Sequence, residues 1–250
     1  TGLLLALWAL TARPGDALAP PLATLAALAK YVGGLWLAVF ALGWLPLALR
    51  ERRWRAVGLA LLGSAALVVA CYLPFWDHGR ALEGVRRQSD LYTTSLGTLV
   101  MIEVGKYPDL IGSRQLLDLL KGAALAIIGL TILVCRPRDA SPGEAARAAF
   151  DISLAYLLVG ALWFQPWYLV PLVGLLPLVD PGRRAIALCY ALGATGSYVV
   201  YFYVWPALNW TPDRLLIQLW AVGVAHGPAW VALCAVCTRA AVQAYKQAGG

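Results

Sequence analysis

The residues best equipped for chemistry lie in one polar stretch, Tyr72 to Ser95, which reads YLPFWDHGRALEGVRRQSDLYTTS between long apolar runs. It carries Asp77, His78, Glu83, Arg86, Arg87, Gln88 and Asp90. Two adjacent guanidiniums are suited to a phosphate, because each is permanently charged and offers a fork of N–H donors. Asp77 and Glu83 are carboxylates that could take a proton from a hydroxyl brought within hydrogen-bond reach. Each feature also has a plainer use. Arg86 and Arg87 can rest on lipid headgroups beside Glu83 and Asp90, and Asp77-His78 can simply start a helix.

Composition says what surrounds this stretch. Hydrophobic residues make up 61% of the 250-residue chain and charged residues 13%, where a soluble domain has about 25% charged. The mean hydropathy is +0.70. One water-soluble core cannot hide so much apolar surface, so lipid is the expected solvent. A formal charge of +7 does not point to nucleic acid here, since the basic residues sit between apolar spans. Eleven tryptophans and eleven tyrosines suit the two interfaces of a bilayer.

The apolar runs predict an all-α, polytopic transmembrane bundle of about seven to eight spans with an outer loop containing an interfacial helix. Residues 31–49, 56–73, 116–135, 185–205 and 215–237 read as crossings, and 150–164 and 168–179 as a rise and a proline-rich return. Ser141-Pro142-Gly143-Glu144 has the pattern of a capped helix start. The chain reads as one transmembrane domain with an outer loop over 74–115. Its start at Thr1, followed by an apolar run too short to span, suggests the C-terminal portion of a longer protein.

Charge orients the spans. The loops at 50–55, 136–147, 183–184 and 239–246 are rich in arginine and lysine, and those at 74–121, 165–168 and 206–214 are balanced. The first set is expected on the cytoplasmic side, which puts the 74–121 loop outside a plasma (inner) membrane.

Within that outer loop, Leu82, Val85 and Leu91 share a helical stripe, and Thr93-Thr94-Ser95 separates it from a second apolar segment at 96–102. A second outer feature is Trp163-Phe164-Gln165-Pro166-Trp167-Tyr168: its rings can stack on a sugar or anchor at the interface, and Gln165 is a two-sided hydrogen-bonding group. Trp205, Asn209, Trp210, Asp213 and Arg214 form a third cluster with the same two uses. His226, mid-span beside Gly227-Pro228, is either a functional intramembrane group or a partner for backbone groups that the proline frees. Lys30 is expected near the outer end of its span.

The five cysteines fall in or at the ends of apolar spans and read as small hydrophobes. Cys234-x-x-Cys237 lacks a second ligand pair, so no metal site is expected. The residues identify no cofactor, and the use of a divalent metal is not readable from them.

Four segments in this order, LAALAKYV at 25–32, RERRWRA at 50–56, LPFWDHGRALEGVRRQSDLYTTSLGTL at 73–99 and FQPWYLVPLVGLLPL at 164–178, resemble the C-terminal half of polytopic GT-C glycosyltransferases, nearest the family 87, mannosyltransferase-like branch of bacteria. The resemblance implies an integral membrane enzyme that takes a sugar from a polyprenyl-phosphate carrier at the outer face and passes it to a glycan or lipid acceptor. It places the catalytic aspartate upstream of Thr1; within this chain Asp77 is a candidate on its chemistry alone. It puts Arg86, Arg87 and Gln88, with His78 nearby, at the carrier phosphate or acceptor, and Gln165, Trp167 and Tyr168 around the sugar. The rival expectations are a transporter or flippase of a lipid-linked or anionic substrate, and a non-catalytic membrane fragment.

Overall fold

Proline, glycine and arginine punctuate the apolar runs, and the helix boundaries of the computed structural model follow them. The structure describes residues 17–29, 33–79, 83–84, 87, 90–139, 141–208 and 214–248. The helices are α1 (Ala19–Ala29), α2 (Gly33–Arg50), α3 (Trp54–Tyr72), α4 (Leu96–Val104), α5 (Ser113–Val134), α6 (Pro142–Ala155), α7 (Pro181–Val199) and α8 (Arg214–Ala248). Among the described residues no strand forms. Among the described residues four segments are long and apolar enough to cross a membrane: Trp54–Phe75, Ser113–Val134, Pro181–Ala207 and Leu215–Gln247. Their outer faces stay apolar and uncovered, as on α3, where Leu61 is 67% exposed. That is the surface a hydrocarbon solvent requires, and the protein is an all-helical membrane protein.

The chain divides into two compact units, Thr1–Asp90 with Ala126–Ala155, and Leu91–Leu125 with Tyr156–Gly250. In the first, α1, α2 and α3 pack on one another and α2 packs on α6. Small residues allow the approach: Ala145, Ala146, Ala148 and Ala149 are all buried on α6. The Trp36 indole donates to Ser153 Oγ at 2.9 Å, so the one polar end of that ring is satisfied within the core.

The start of α6 is the capped turn that its sequence predicts. Ser141 Oγ accepts from Glu144 N at 3.3 Å. The Glu144 carboxylate reaches back to Arg138 N at 3.1 Å and receives Arg147 Nε at 2.9 Å and an Arg147 terminal nitrogen at 2.8 Å. The Arg147 hydrogen bonds outweigh partial burial and lower the Glu144 pKa from 4.5 to about 2.

In the second unit α7 and α8 form the main pair. On α7 the buried positions Ile186, Ala187, Tyr190, Gly193, Ala194 and Ser197 follow helical spacing. Gly193 sits where the backbones nearly touch: a Cβ there would lie 2.6 Å from Val224 O and 2.7 Å from Ala225 O. The expected single rise from 150 to 164 is instead interrupted. After α6 the chain makes a π turn, Tyr156–Gly160, then runs irregularly to Gln165. The expected return span is a broken ladder of a 3₁₀ turn (Pro166–Leu169), one α turn (Val170–Gly174) and another 3₁₀ turn (Leu176–Leu178). Pro166, Pro171 and Pro177 each remove a donor, which prevents one continuous ladder.

Two outcomes follow from this packing. A carboxylate with a depressed folded pKa stabilises the fold above its unfolded pKa and loses that contribution as pH falls. The chain should therefore lose stability between about pH 4.5 and about pH 2, and Glu144→Gln should flatten that part of a Tm-against-pH profile in detergent. Gly193→Ala should push α7 from α8 and cost about 1–3 kcal/mol in denaturant unfolding; an unchanged midpoint would show that the helices separate freely.

Candidate functional site

The polar groups of the second unit converge on a short extended segment, Thr93-Thr94-Ser95. Thr93 N donates to Leu162 O at 3.0 Å and Phe164 N donates to Thr93 O at 3.0 Å. These two bonds make a parallel bridge between Thr93 and Trp163. They join two stretches that the sequence marks separately, the end of the polar loop and the start of Trp163–Tyr168. Ser95 then caps α4: its Oγ accepts from Thr98 N at 3.1 Å and donates to Leu162 O at 2.7 Å.

Thr94 is the residue under strain. Its φ is +49°, a left-handed conformation that a β-branched side chain strongly disfavours. Three side chains from two helices hold it there. Thr94 N donates to Gln218 Oε1 at 2.9 Å. Thr94 Oγ1 forms a hydrogen bond with the Tyr201 hydroxyl. Thr94 O accepts from His226 Nε2 at 2.9 Å. Every polar atom of this residue is engaged, although the residue is 3% exposed. Strain of this kind, of order 1–3 kcal/mol, persists only where surrounding contacts over-determine it.

His226 is a component of the clamp. A carbonyl can only accept, so Nε2 carries the proton that goes to Thr94 O. In the neutral ring Nδ1 is then an acceptor, 2.8 Å from the Tyr190 hydroxyl. That hydroxyl also lies 2.9 Å from Leu157 O, a carbonyl in the π turn. One hydroxyl proton thus serves two acceptors. Phe164 closes the group, 4.7 Å from the His226 ring and stacked on Tyr190 at 5.5 Å. The expectation that His226 pairs with backbone groups freed at Gly227-Pro228 gives way to a different use: its ring holds Thr94 and Tyr190.

Beside Thr94, the Thr93 hydroxyl lies 3.3 Å from Tyr201 OH, and Gln218 Nε2 donates to it at 3.5 Å. Thr93, Tyr201 and Gln218 are half-buried. The result is a group of neutral hydroxyls and one amide that donate and accept in both senses. Gln165, Trp167 and Tyr168 follow the bridge directly. Gln165 is half-buried and precedes the 3₁₀ turn, Trp167 is half-exposed, and Tyr168 is buried with Trp163 and Trp167 edge-on to it at 6.3 and 6.4 Å.

The other expected site residues belong to the first unit. Asp77 and His78 lie in an exposed turn, with His78 Nδ1 3.3 Å from Asp77 Oδ1; His78 and Gly79 have φ of +48° and +89°. Arg87 reaches Glu83 across one helical turn at 3.5 Å, both well exposed. Arg86 and Gln88 lie outside the described residues, as do Lys30, Asn209, Trp210 and Asp213.

Sequence reasoning did not single out Thr94, Gln218, Tyr201 or Tyr190. Gln218 and His226 did carry a signal: eight residues apart in an apolar run, they share a helix face. Tyr190 and Tyr201, eleven apart, do the same on the neighbouring run. Thr94 had none, because its strain arises from contacts distant in the chain.

No protein-family model matches this chain, no curated protein matches it, and no solved structure matches it.

If Gln218 and His226 act together on Thr94, their removal should be non-additive. Gln218→Leu and His226→Phe should each cost about 1–3 kcal/mol, from the polar partner left unpaired. The double-mutant cycle should show about 0.5 kcal/mol or more of coupling, with faster hydrogen exchange at 93–95. Strict additivity would mean that the two side chains act separately.

Proposed function

We propose that this chain is the membrane-embedded, substrate-holding part of a glycosyltransferase that takes a sugar from a polyprenyl-phosphate-linked donor and passes it to a glycan or lipid acceptor. In this reading the chain crosses the plasma (inner) membrane seven to eight times and the 74–121 loop lies outside. The observation that carries it is the Thr93–Trp163 bridge. It puts neutral hydroxyls and an amide, from Thr93, Tyr201 and Gln218, next to the aromatic run Trp163–Tyr168. Sugar hydroxyls both donate and accept, and sugar rings present C–H faces to aromatic rings, so this neutral, ring-lined setting suits a sugar better than an ion.

The phosphate of the carrier calls for positive charge, and Arg86 and Arg87, with Gln88 and His78 nearby, are the groups assigned to it. Their guanidiniums would stabilise the negative charge that grows on the departing carrier phosphate. A carboxylate would take the acceptor hydroxyl proton, and Asp77 is the candidate within this chain. Gln165, Trp167 and Tyr168 would border the sugar.

One observation favours the transporter as a second reading. His226 and Tyr190 form a buried ionisable pair in the interior of two apolar helices, where such groups often mark a substrate or ion path.

Transfer from a polyprenyl-phosphate sugar in proteoliposomes, assayed with the full-length protein, separates the two. Arg86→Ala with Arg87→Ala should abolish glycoside formation while leaving folded protein, and Gln218→Leu should lower it at least tenfold, the scale of one lost hydrogen bond to substrate. Unchanged turnover in the arginine variant would remove the phosphate role. Movement of lipid-linked substrate across the bilayer without a new glycoside would favour the transporter.

A further inference from the structure

The turn between α2 and α3 reads Arg50-Glu51-Arg52-Arg53-Trp54-Arg55, and its backbone is not the one these residues prefer. Arg53 N donates to Ala48 O at 2.8 Å and Arg52 N to Leu49 O at 3.1 Å. That pair of bonds is a Schellman ending, with Arg52 in the left-handed position at φ +54°. Glycine is the usual residue there, because a Cβ crowds the following carbonyl. The next helix begins equally against preference: Arg53 is the N-cap of α3 and makes no side-chain cap, where serine or aspartate would be favoured. Helix-ending chemistry thus does not explain arginine at either place.

Charge pairing explains it no better. Glu51 is the one carboxylate in the turn, and it pairs with Arg53 at 2.6 Å. Among the described residues no carboxylate reaches Arg50, Arg52 or Arg55, and all three are exposed. Trp54 stands among them, 63% exposed, and an indole favours the headgroup level of a bilayer. The turn opens directly onto Trp54–Phe75, a segment apolar enough to cross a membrane. Leu59, Leu61 and Leu62, 62–68% exposed, lie one to two helical turns further along it. Fixed positive charge, an interfacial ring and then bare aliphatic surface match, in that order, the phosphate, the glycerol level and the acyl chains of an anionic phospholipid.

We propose that the α2–α3 turn binds the headgroup of an anionic phospholipid, and that arginine occupies position 52 for that contact at the expense of local stability. The proposal stands independently of the sugar-transfer reading, because it concerns the first unit alone and needs no turnover to test.

The test uses the purified chain with phosphatidylglycerol or phosphatidylcholine, following retained lipid by native mass spectrometry and Tm in detergent. Phosphatidylglycerol should be retained preferentially and raise Tm, and added salt should weaken both effects. Arg52→Gly should act in opposite directions: Tm higher by a few degrees, roughly, without anionic lipid, and phosphatidylglycerol affinity about fivefold weaker. Arg52→Lys, which keeps the charge, should retain most of the affinity. Arg52→Gln with Arg55→Gln should lose about 25-fold. Equal retention of the two lipids, or full phosphatidylglycerol affinity in Arg52→Gly, would overturn the proposal. An unraised Tm in Arg52→Gly would overturn the claim that stability is given up for binding.

Discussion

Thr94 is held in a backbone conformation that threonine resists, and the polar interior of the second unit is arranged around holding it there. Gln218 takes its N–H, His226 its carbonyl and Tyr201 its hydroxyl. In an apolar interior each of these groups would cost free energy unpaired. The clamp therefore stabilises twice: it satisfies buried polar atoms, and it sustains the left-handed turn that sends Ser95 into its capping position. Without that turn, Thr93 could not keep its two main-chain bonds toward Leu162 and Phe164 while α4 begins three residues later.

This constraint spreads through the helices that supply the clamp. Gln218 and His226 both lie on α8 and Tyr190 on α7, so the close approach at Gly193 also sets the spacing of the clamping groups. The break after α6 belongs to the same system. The π turn leaves Leu157 O without a continuing ladder, and the Tyr190 hydroxyl reaches it while also facing His226. A helix break, a buried histidine and a strained threonine are thus one hydrogen-bonded chain. Breaks of this type are often found at functional sites, and here the break delivers Trp163 to the bridge.

Much of the fold was legible in the sequence, for physical reasons that can be named. The crossings at α3, α5, α7 and α8 are apolar runs of the needed length, each closed by arginine, proline or glycine. The cap at Ser141-Pro142-Gly143-Glu144 was legible because its chemistry is local. The interruption after α6 was not, because the run from Leu154 to Phe164 carries no charged residue or proline to mark a break, and the break depends on partners at Thr93 and Tyr190. The site divides along the same line. Trp163–Tyr168 and His226 stood out by type, but Thr93-Thr94-Ser95 read only as a polar gap between two apolar segments. A β-branched residue argues against a left-handed turn, so local propensity pointed away from the conformation that tertiary contacts impose.

In the proposed function the bridged segment and its clamp form the wall of a sugar site. The most direct measurement is a cryo-electron microscopy structure of the full-length protein in a lipid nanodisc with a non-hydrolysable polyprenyl-phosphate sugar analogue. Sugar density is expected within hydrogen-bond reach of Thr93 and Gln218 and against the Trp163–Tyr168 rings. Density for the sugar elsewhere, with Thr93 and Gln218 bonded only to each other and to Tyr201, would contradict it and leave the clamp as a purely structural device.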